Sequence, residues 1–126
     1  MGGRRSGRRG DDHGAATAEL AIGIPLLVAL TAGLVWMLAV GAAQVRVVDA
    51  SREAARAVAR GDDVASAESV ALRIAPDDAR VRIEAGDRQV TVTTSVRITG
   101  PGGLLASLPG VTVSAEAVAL MEAEAS

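Results

Sequence analysis

The run LAIGIPLLVALTAGLVWMLAVGAAQV, Leu20 to Val45, holds 26 consecutive residues without a charged side chain, and Gln44 is its only strongly polar member. A helix needs about 20 predominantly apolar residues to cross the hydrocarbon core of a bilayer. At about 1.5 Å per residue this run reaches roughly 39 Å, enough to span with tilt or to emerge as a continuing helix. A buried core helix is the competing reading. In a chain of 126 residues, too little other apolar surface remains to cover it. The fold therefore begins from one transmembrane helix carrying a small soluble remainder. Pro25 lies near the start of the run, where a missing N–H costs least, and predicts a local kink.

All 13 basic residues are arginine, and their distribution gives the segment a direction. Arg4, Arg5, Arg8 and Arg9 crowd the residues before the run, whereas Arg46, Arg52, Arg56 and Arg60 after it are interleaved with Asp49 and Glu53. That density favours a cytoplasmic N-terminus. A cleavable secretory signal is the alternative, since Val40-Gly41-Ala42 and Gly41-Ala42-Ala43 offer small residues to a signal peptidase. A signal's apolar core, however, is about 7 to 15 residues long, much shorter than this one. The chain has no cysteine, which removes disulfides and thiolate metal sites. Trp36 is the only aromatic residue, so any globular part packs with Val, Ile, Leu and Ala.

Glu19 stands at the lip of the apolar run. A helix starting near Ala16 would place it in the first turn, where the helix dipole favours an anion by up to about 1 kcal/mol. A carboxylate at the bilayer centre costs about 2.5 to 3.5 kcal/mol on insertion scales, and less at the interface. An interfacial role thus accounts for Glu19 without any function.

Its neighbours point further. Gly14 is followed by the small residues Ala15, Ala16, Thr17 and Ala18, then Glu19, and an Arg-rich leader comes before. This arrangement resembles the processing site of type IV pilin-like precursors. The resemblance implies that a membrane-embedded, prepilin-type aspartyl peptidase cuts between Gly14 and Ala15 on the cytoplasmic side and leaves the apolar segment in place. Glu19 then becomes the fifth residue of the mature chain. Its implied partner is the new α-ammonium of a neighbouring subunit. In a filament core each of these charges would be costly without the other, so the pair sets register more than net stability.

From Gln44 to Arg60 no breaker interrupts a sequence rich in Ala and Arg, so the membrane helix is expected to continue until Gly61. Val47, Ala50, Ala54 and Ala57 or Val58 recur at helical spacing as a narrow face of small residues. Arg46 with Asp49, and Glu53 with Arg56, stand three apart and are expected to pair. Asp62 and Asp63 are available to cap a following helix. The interspersed acids and the lack of aromatics argue against nucleic acid as a partner. Taken with the Gly14 to Leu20 stretch, the segment Val-Asp-Ala-Ser-Arg-Glu-Ala-Ala-Arg-Ala-Val-Ala-Arg-Gly, Val48 to Gly61, resembles the TadE-like family of tight-adherence pilus systems in its actinobacterial form. The resemblance implies a minor pilin or pseudopilin that works with other pilins and with the membrane assembly proteins of the system. Leu20 stands where many members of that family carry an aromatic residue.

Residues 61–126 predict a small extracytoplasmic domain. Val64, Ala67, Ala71 and Ile74 share one face of a short helix that ends at Pro76, with Ser66, Ser69 and Arg73 opposite. Val81, Ile83 and Ala85 alternate with Arg80, Arg82 and Glu84. After Gly86-Asp87, Val90, Val92, Val96 and Ile98 alternate with Thr91, Thr93, Ser95 and Arg97. Two such runs about a Gly-first turn read as a hairpin. A third strand, Val111 to Ala117, follows a Gly/Pro-rich loop. The expected fold is α+β: a long N-terminal transmembrane and stalk helix, a short second helix and a three-stranded antiparallel sheet half covered by helix. The organisation is a leader at 1–14, a membrane helix at 15–43, a juxtamembrane extension at 44–60 and the domain at 61–126. Leu104, Leu105 and Leu108 form one apolar cluster in the loop, folding back on the sheet or offering a partner surface.

Nothing in the chain organises catalysis. His13, the only histidine, lies in the leader, no nucleophile has a base in view, and neither a phosphate loop nor metal-ligand spacing is present. No cofactor, metal or small-molecule substrate is expected. The expected partners are the lipid bilayer, the peptidase and other pilus proteins. A plain single-pass anchor bearing an extracytoplasmic binding domain is the second reading.

Overall fold

A computed structural model describes residues 7–100 and 109–122. It contains helix α1 (Gly7–Ala59), helix α2 (Val64–Ile74) and strands β1 (Arg80–Ala85), β2 (Gln89–Ile98) and β3 (Val111–Leu120), an α+β fold as expected. The chain forms two compact units, Met1–Val35 and Trp36–Ser126.

α1 begins at Gly7 rather than near Ala16. Gly10 and Gly14 each weaken a helix by about 1 kcal/mol relative to Ala, yet no proline follows until Pro25, and the helix extends back through the charged leader. Glu19 consequently lies more than three turns inside the helix of the uncut chain, too deep for the dipole reading, whose effect fades within the first turn. The helix also continues through Pro25.

α1 ends as expected at Gly61. The Gly61 N–H donates to Val58 O at 2.9 Å and the Asp62 N–H to Ala57 O at 3.0 Å, the paired bonds of a Schellman cap. Gly61 holds a φ of +97°, a conformation that side chains with a Cβ resist. Asp63 occupies the N-cap position of α2 but makes no side-chain capping bond; its carbonyl accepts the Ala67 N–H at 3.0 Å. α2 stops before Pro76, and a turn closed by the Ala79 N–H on Pro76 O, with Asp78 at φ 64°, leads into β1.

The sheet is antiparallel in the order β1-β2-β3. Its hairpin turn differs from expectation by one residue. The Gly86 N–H donates to Gln89 O at 2.8 Å, so Asp87-Arg88 are the central pair, and neither has a positive φ. β3 runs three residues beyond the expected Ala117, because Val118, Ala119 and Leu120 pair with Thr91, Val90 and Gln89.

Alternation divides the sheet cleanly. Val81 and Ile83 of β1, Val90, Val92, Thr94 and Val96 of β2, and Val113, Ala115, Ala117 and Ala119 of β3 are in register on one face. That face packs against helix. Ala50, Ala54, Ala55, Ala57 and Val58 of α1 and Ala67 and Ala71 of α2 join Val90 and Val92 in one buried cluster. Ala43 and Val47 join Val96 and Val113 in a second. The small-residue face of α1 is thus core: Val47, Ala50 and Ala54 are completely buried. Alanine lets helix and sheet approach closely, which suits a domain without aromatic residues to fill a wider gap.

The expected Arg46–Asp49 and Glu53–Arg56 pairs are not those that form. Among the described residues, ion pairs join Arg60 to Glu53 at 3.9 Å, Arg60 to Asp62 at 3.7 Å and Arg82 to Glu84 at 3.9 Å. Arg60 sits where the helix closes, between an acid two turns back and one just beyond the cap. All three pairs are solvent-exposed, and each contributes little.

Candidate functional site

The sequence places its main functional features on the N-terminal part of α1. Gly14, Ala15 and Glu19 are helical and exposed, and a methyl group added at Gly14 would meet nothing within 4 Å. No packing constraint therefore accounts for glycine at position 14. Ala15 and Glu19 are four residues apart, one turn along the same face. A chain beginning at Ala15 would carry its ammonium group on the face that carries the Glu19 carboxylate.

Beyond Glu19 the helix is apolar and bare. Leu20 is 62% exposed and Leu38 75%, with Ile22, Ile24, Leu26, Leu27, Leu30, Leu34 and Met37 between them also exposed. An aqueous protein cannot leave so long an apolar surface open, and the helix fits a single membrane span by length and composition. At Val40 and Ala43 the environment changes. These two residues, still within the uncharged run, pack with Val47 against Val96, Ile98, Val113 and Ala115. The last turns of the apolar run therefore belong to the domain core.

Two polar contacts at this helix–sheet junction went unread in the sequence. The Trp36 Nε1–H donates to Thr99 O at 3.0 Å. Ser51 Oγ lies 2.8 Å from Thr94 Oγ1 and 3.0 Å from Ala115 O, and both side chains are fully buried. A hydroxyl has one proton to give, so the assignment that satisfies the group has Thr94 donating to Ser51 and Ser51 donating to Ala115 O. The signal was present: Ser51 falls on the helical spacing of Val47, Ala54 and Val58, and Thr94 on the inward alternation of β2. Leu104, Leu105 and Leu108 lie outside the described residues. Among the described residues, no group of three His, Asp or Glu side chains is placed to hold a metal ion.

The family model of TadE-like proteins matches residues 14–56, from Gly14 to the buried small-residue face of α1. This segment is similar to TadE-like proteins. The match agrees with the resemblance read from the residues and associates the chain with tight-adherence pilus systems. α2 and the sheet lie beyond the matched segment. No curated protein and no solved structure matches the chain.

Proposed function

We propose that this chain is a minor pilin or pseudopilin of a tight-adherence pilus system, acting in pilus assembly and entering the filament. The N-terminus lies in the cytoplasm and the α+β domain on the far side of the membrane. A prepilin-type peptidase removes residues 1–14, and Glu19 receives the Ala15 ammonium of a neighbouring subunit as the helices bundle. The role is structural, without catalysis or cofactor. Leu104, Leu105 and Leu108 offer a surface to partner subunits.

The observation that carries this reading is where the TadE-like match begins. It opens at Gly14, the residue after which the cut is proposed, and includes Glu19 and the bare apolar helix. A helix needed only as an anchor has no use for a glycine in open space five residues before a carboxylate. Intact-mass measurement of the protein extracted from membranes tests the proposal: the mature chain starts at Ala15. A chain that keeps Met1 would support the plain anchor instead, and a start near Ala43 would support a secretory signal.

A further inference from the structure

The face of the sheet turned away from the helices sets the hydroxyls of Thr93 and Ser95 on β2 and Thr112 on β3 among three exposed arginines, Arg80, Arg82 and Arg97. Neither core cluster uses these residues. Two open depressions adjoin there. The polar residues lining the first, of about 310 Å³, are Asp78, Arg80, Ser95, Arg97 and Thr112. Those lining the second, of about 410 Å³, are Arg80, Arg82, Thr93 and Ser95.

Strand register sets the spacing of the charges. Arg80 stands opposite Ser95, so Arg97, two residues on, is its diagonal neighbour at about 7 to 8 Å. Arg82 is roughly 6.5 Å further along β1. Among the described residues, neither Arg80 nor Arg97 forms an ion pair, although Asp78 shares their depression, and Arg82 has only its exposed contact with Glu84 at 3.9 Å. A glycine makes room for Arg97. A Cβ at Gly110 would lie 2.8 Å from Arg97 Nε and 3.4 Å from its Cγ, so the arginine occupies space that any other residue would fill.

A guanidinium presents a fork of N–H donors that matches the oxygens of a phosphate. Two such forks, with the hydroxyls of Ser95 and Thr112 beside them, form a donor set for one phosphate group. Asp78, when ionised, can only accept. The full set therefore fits a phosphate ester that also carries a free hydroxyl, with the phosphate on the arginines and the hydroxyl donating to Asp78. A bare, multiply charged phosphate would meet repulsion from that carboxylate. Because the trough is open and continues to Arg82, it suits a repeating chain.

We propose that Arg80 and Arg97, with Ser95, Thr112 and Asp78, form a binding site for a polyol phosphodiester, and that Arg82 takes the next phosphate along the chain. The inference goes beyond the pilin reading and does not depend on it, since every residue involved lies in the unit Trp36–Ser126.

The test uses the full chain in a nonionic detergent, with a short poly(glycerol phosphate) as the probe and isothermal titration calorimetry as the readout. Arg80→Gln and Arg97→Gln should each weaken binding about tenfold, the scale of a hydrogen bond to a charged group. Arg97→Lys should recover only part of that loss, since it keeps the charge without the fork. Arg88→Gln, in the hairpin turn at the other end of β2, should bind like wild type. These three positions are exposed, and an unchanged thermal midpoint shows that each variant keeps its fold. Asp78→Asn should weaken binding of the polymer but strengthen that of inorganic phosphate. No binding by the wild type, equal binding of polyglutamate, or an equal loss in Arg88→Gln would overturn the proposal. Phosphatidylglycerol in the micelles presents the same chemistry as a headgroup: an unchanged polymer titration assigns the site to a soluble phosphodiester, and competition that Arg97→Gln abolishes assigns it to lipid.

Discussion

Ser51 Oγ on α1 and Thr94 Oγ1 on the central strand are 2.8 Å apart in the middle of the helix–sheet interface, with no solvent access to either residue. Around them the core is Ala and Val, so each hydroxyl depends on the other and on Ala115 O. Among the described residues, no buried side-chain polar atom lacks a partner. Ser51→Ala should cost about 1 to 3 kcal/mol, because Thr94 loses its acceptor in a dry site. Thr94→Val should cost less, because Ser51 keeps its own donation to Ala115 O. The double variant, in which both hydroxyls go, should recover much of the loss. Chemical unfolding of the detergent-solubilised full chain, read as a double-mutant cycle, measures the coupling. Additive losses would show that the pair is not a unit.

The alanine face gives a second prediction of opposite chemistry. Ala54 is completely buried among Ala50, Val58, Ala67 and Val92, and there is no space for a larger side chain. Ala54→Leu should destabilise by about 1 to 3 kcal/mol through overpacking. Ala42→Leu, on the exposed side of the same helix, should change stability little. The comparison is made by thermal unfolding in detergent, and equal effects would contradict the burial of this face.

Gly61 supplies a backbone test. An added Cβ would meet nothing within 4 Å, so any cost of substitution comes from its φ of +97° alone. Gly61→Ala should cost about 1 to 2 kcal/mol, and Gly61→Asn less, since Asn tolerates positive φ better than other side chains. Equal stability of the alanine variant would show that the cap can be remade without its left-handed residue.

The elements were legible in the sequence because each carries its own period. Val81 and Ile83, then Val90, Val92, Val96 and Ile98, mark the inward side of two strands, and Gly61 and Pro76 punctuate the helices. The start of α1 was not legible: the charged leader carries no apolar period, so its helical course to Gly7 had no sequence signal. The hairpin turn shifted because Gly86 serves as a paired residue, not a central one. Alternation that counts only apolar residues skips Thr94, and a small-residue face that counts only Ala and Val skips Ser51. The cut proposed between Gly14 and Ala15 is of another kind. It rests on residue order, and the exposed helix around Gly14 and Glu19 shows that packing does not demand either residue.

Gly14 offers a clean separation of fold from recognition. Both Gly14→Ala and Gly14→Val should leave the domain untouched, because a Cβ at position 14 meets nothing within 4 Å. A peptidase that accepts only the smallest residue before the cut should process the valine variant poorly, with the full-length chain accumulating in membranes. Intact mass and the unfolding midpoint of the same preparation are measured together. Complete processing of Gly14→Val would move the cut elsewhere.

Glu19 is the residue on which the pilin reading turns. Its side chain is exposed, and among the described residues it forms no ion pair, so its removal should not change stability of the isolated chain. Membrane insertion should also survive, since Glu19→Ala lengthens the apolar surface. The predicted loss appears only when subunits bundle. Each Ala15 ammonium buried beside a neighbour that has lost its carboxylate would lack a counter-charge, a penalty of about 3 to 5 kcal/mol for a buried ion left alone. Glu19→Gln should fail almost as badly, because it keeps shape and hydrogen bonding but not the charge. Immunoblots of sheared filaments against membranes should show cleaved variant retained in the membrane and depleted from the filament fraction by tenfold or more, on the order expected from that penalty. Filament levels equal to wild type in both variants would reduce Glu19 to a carboxylate that marks where the lipid begins.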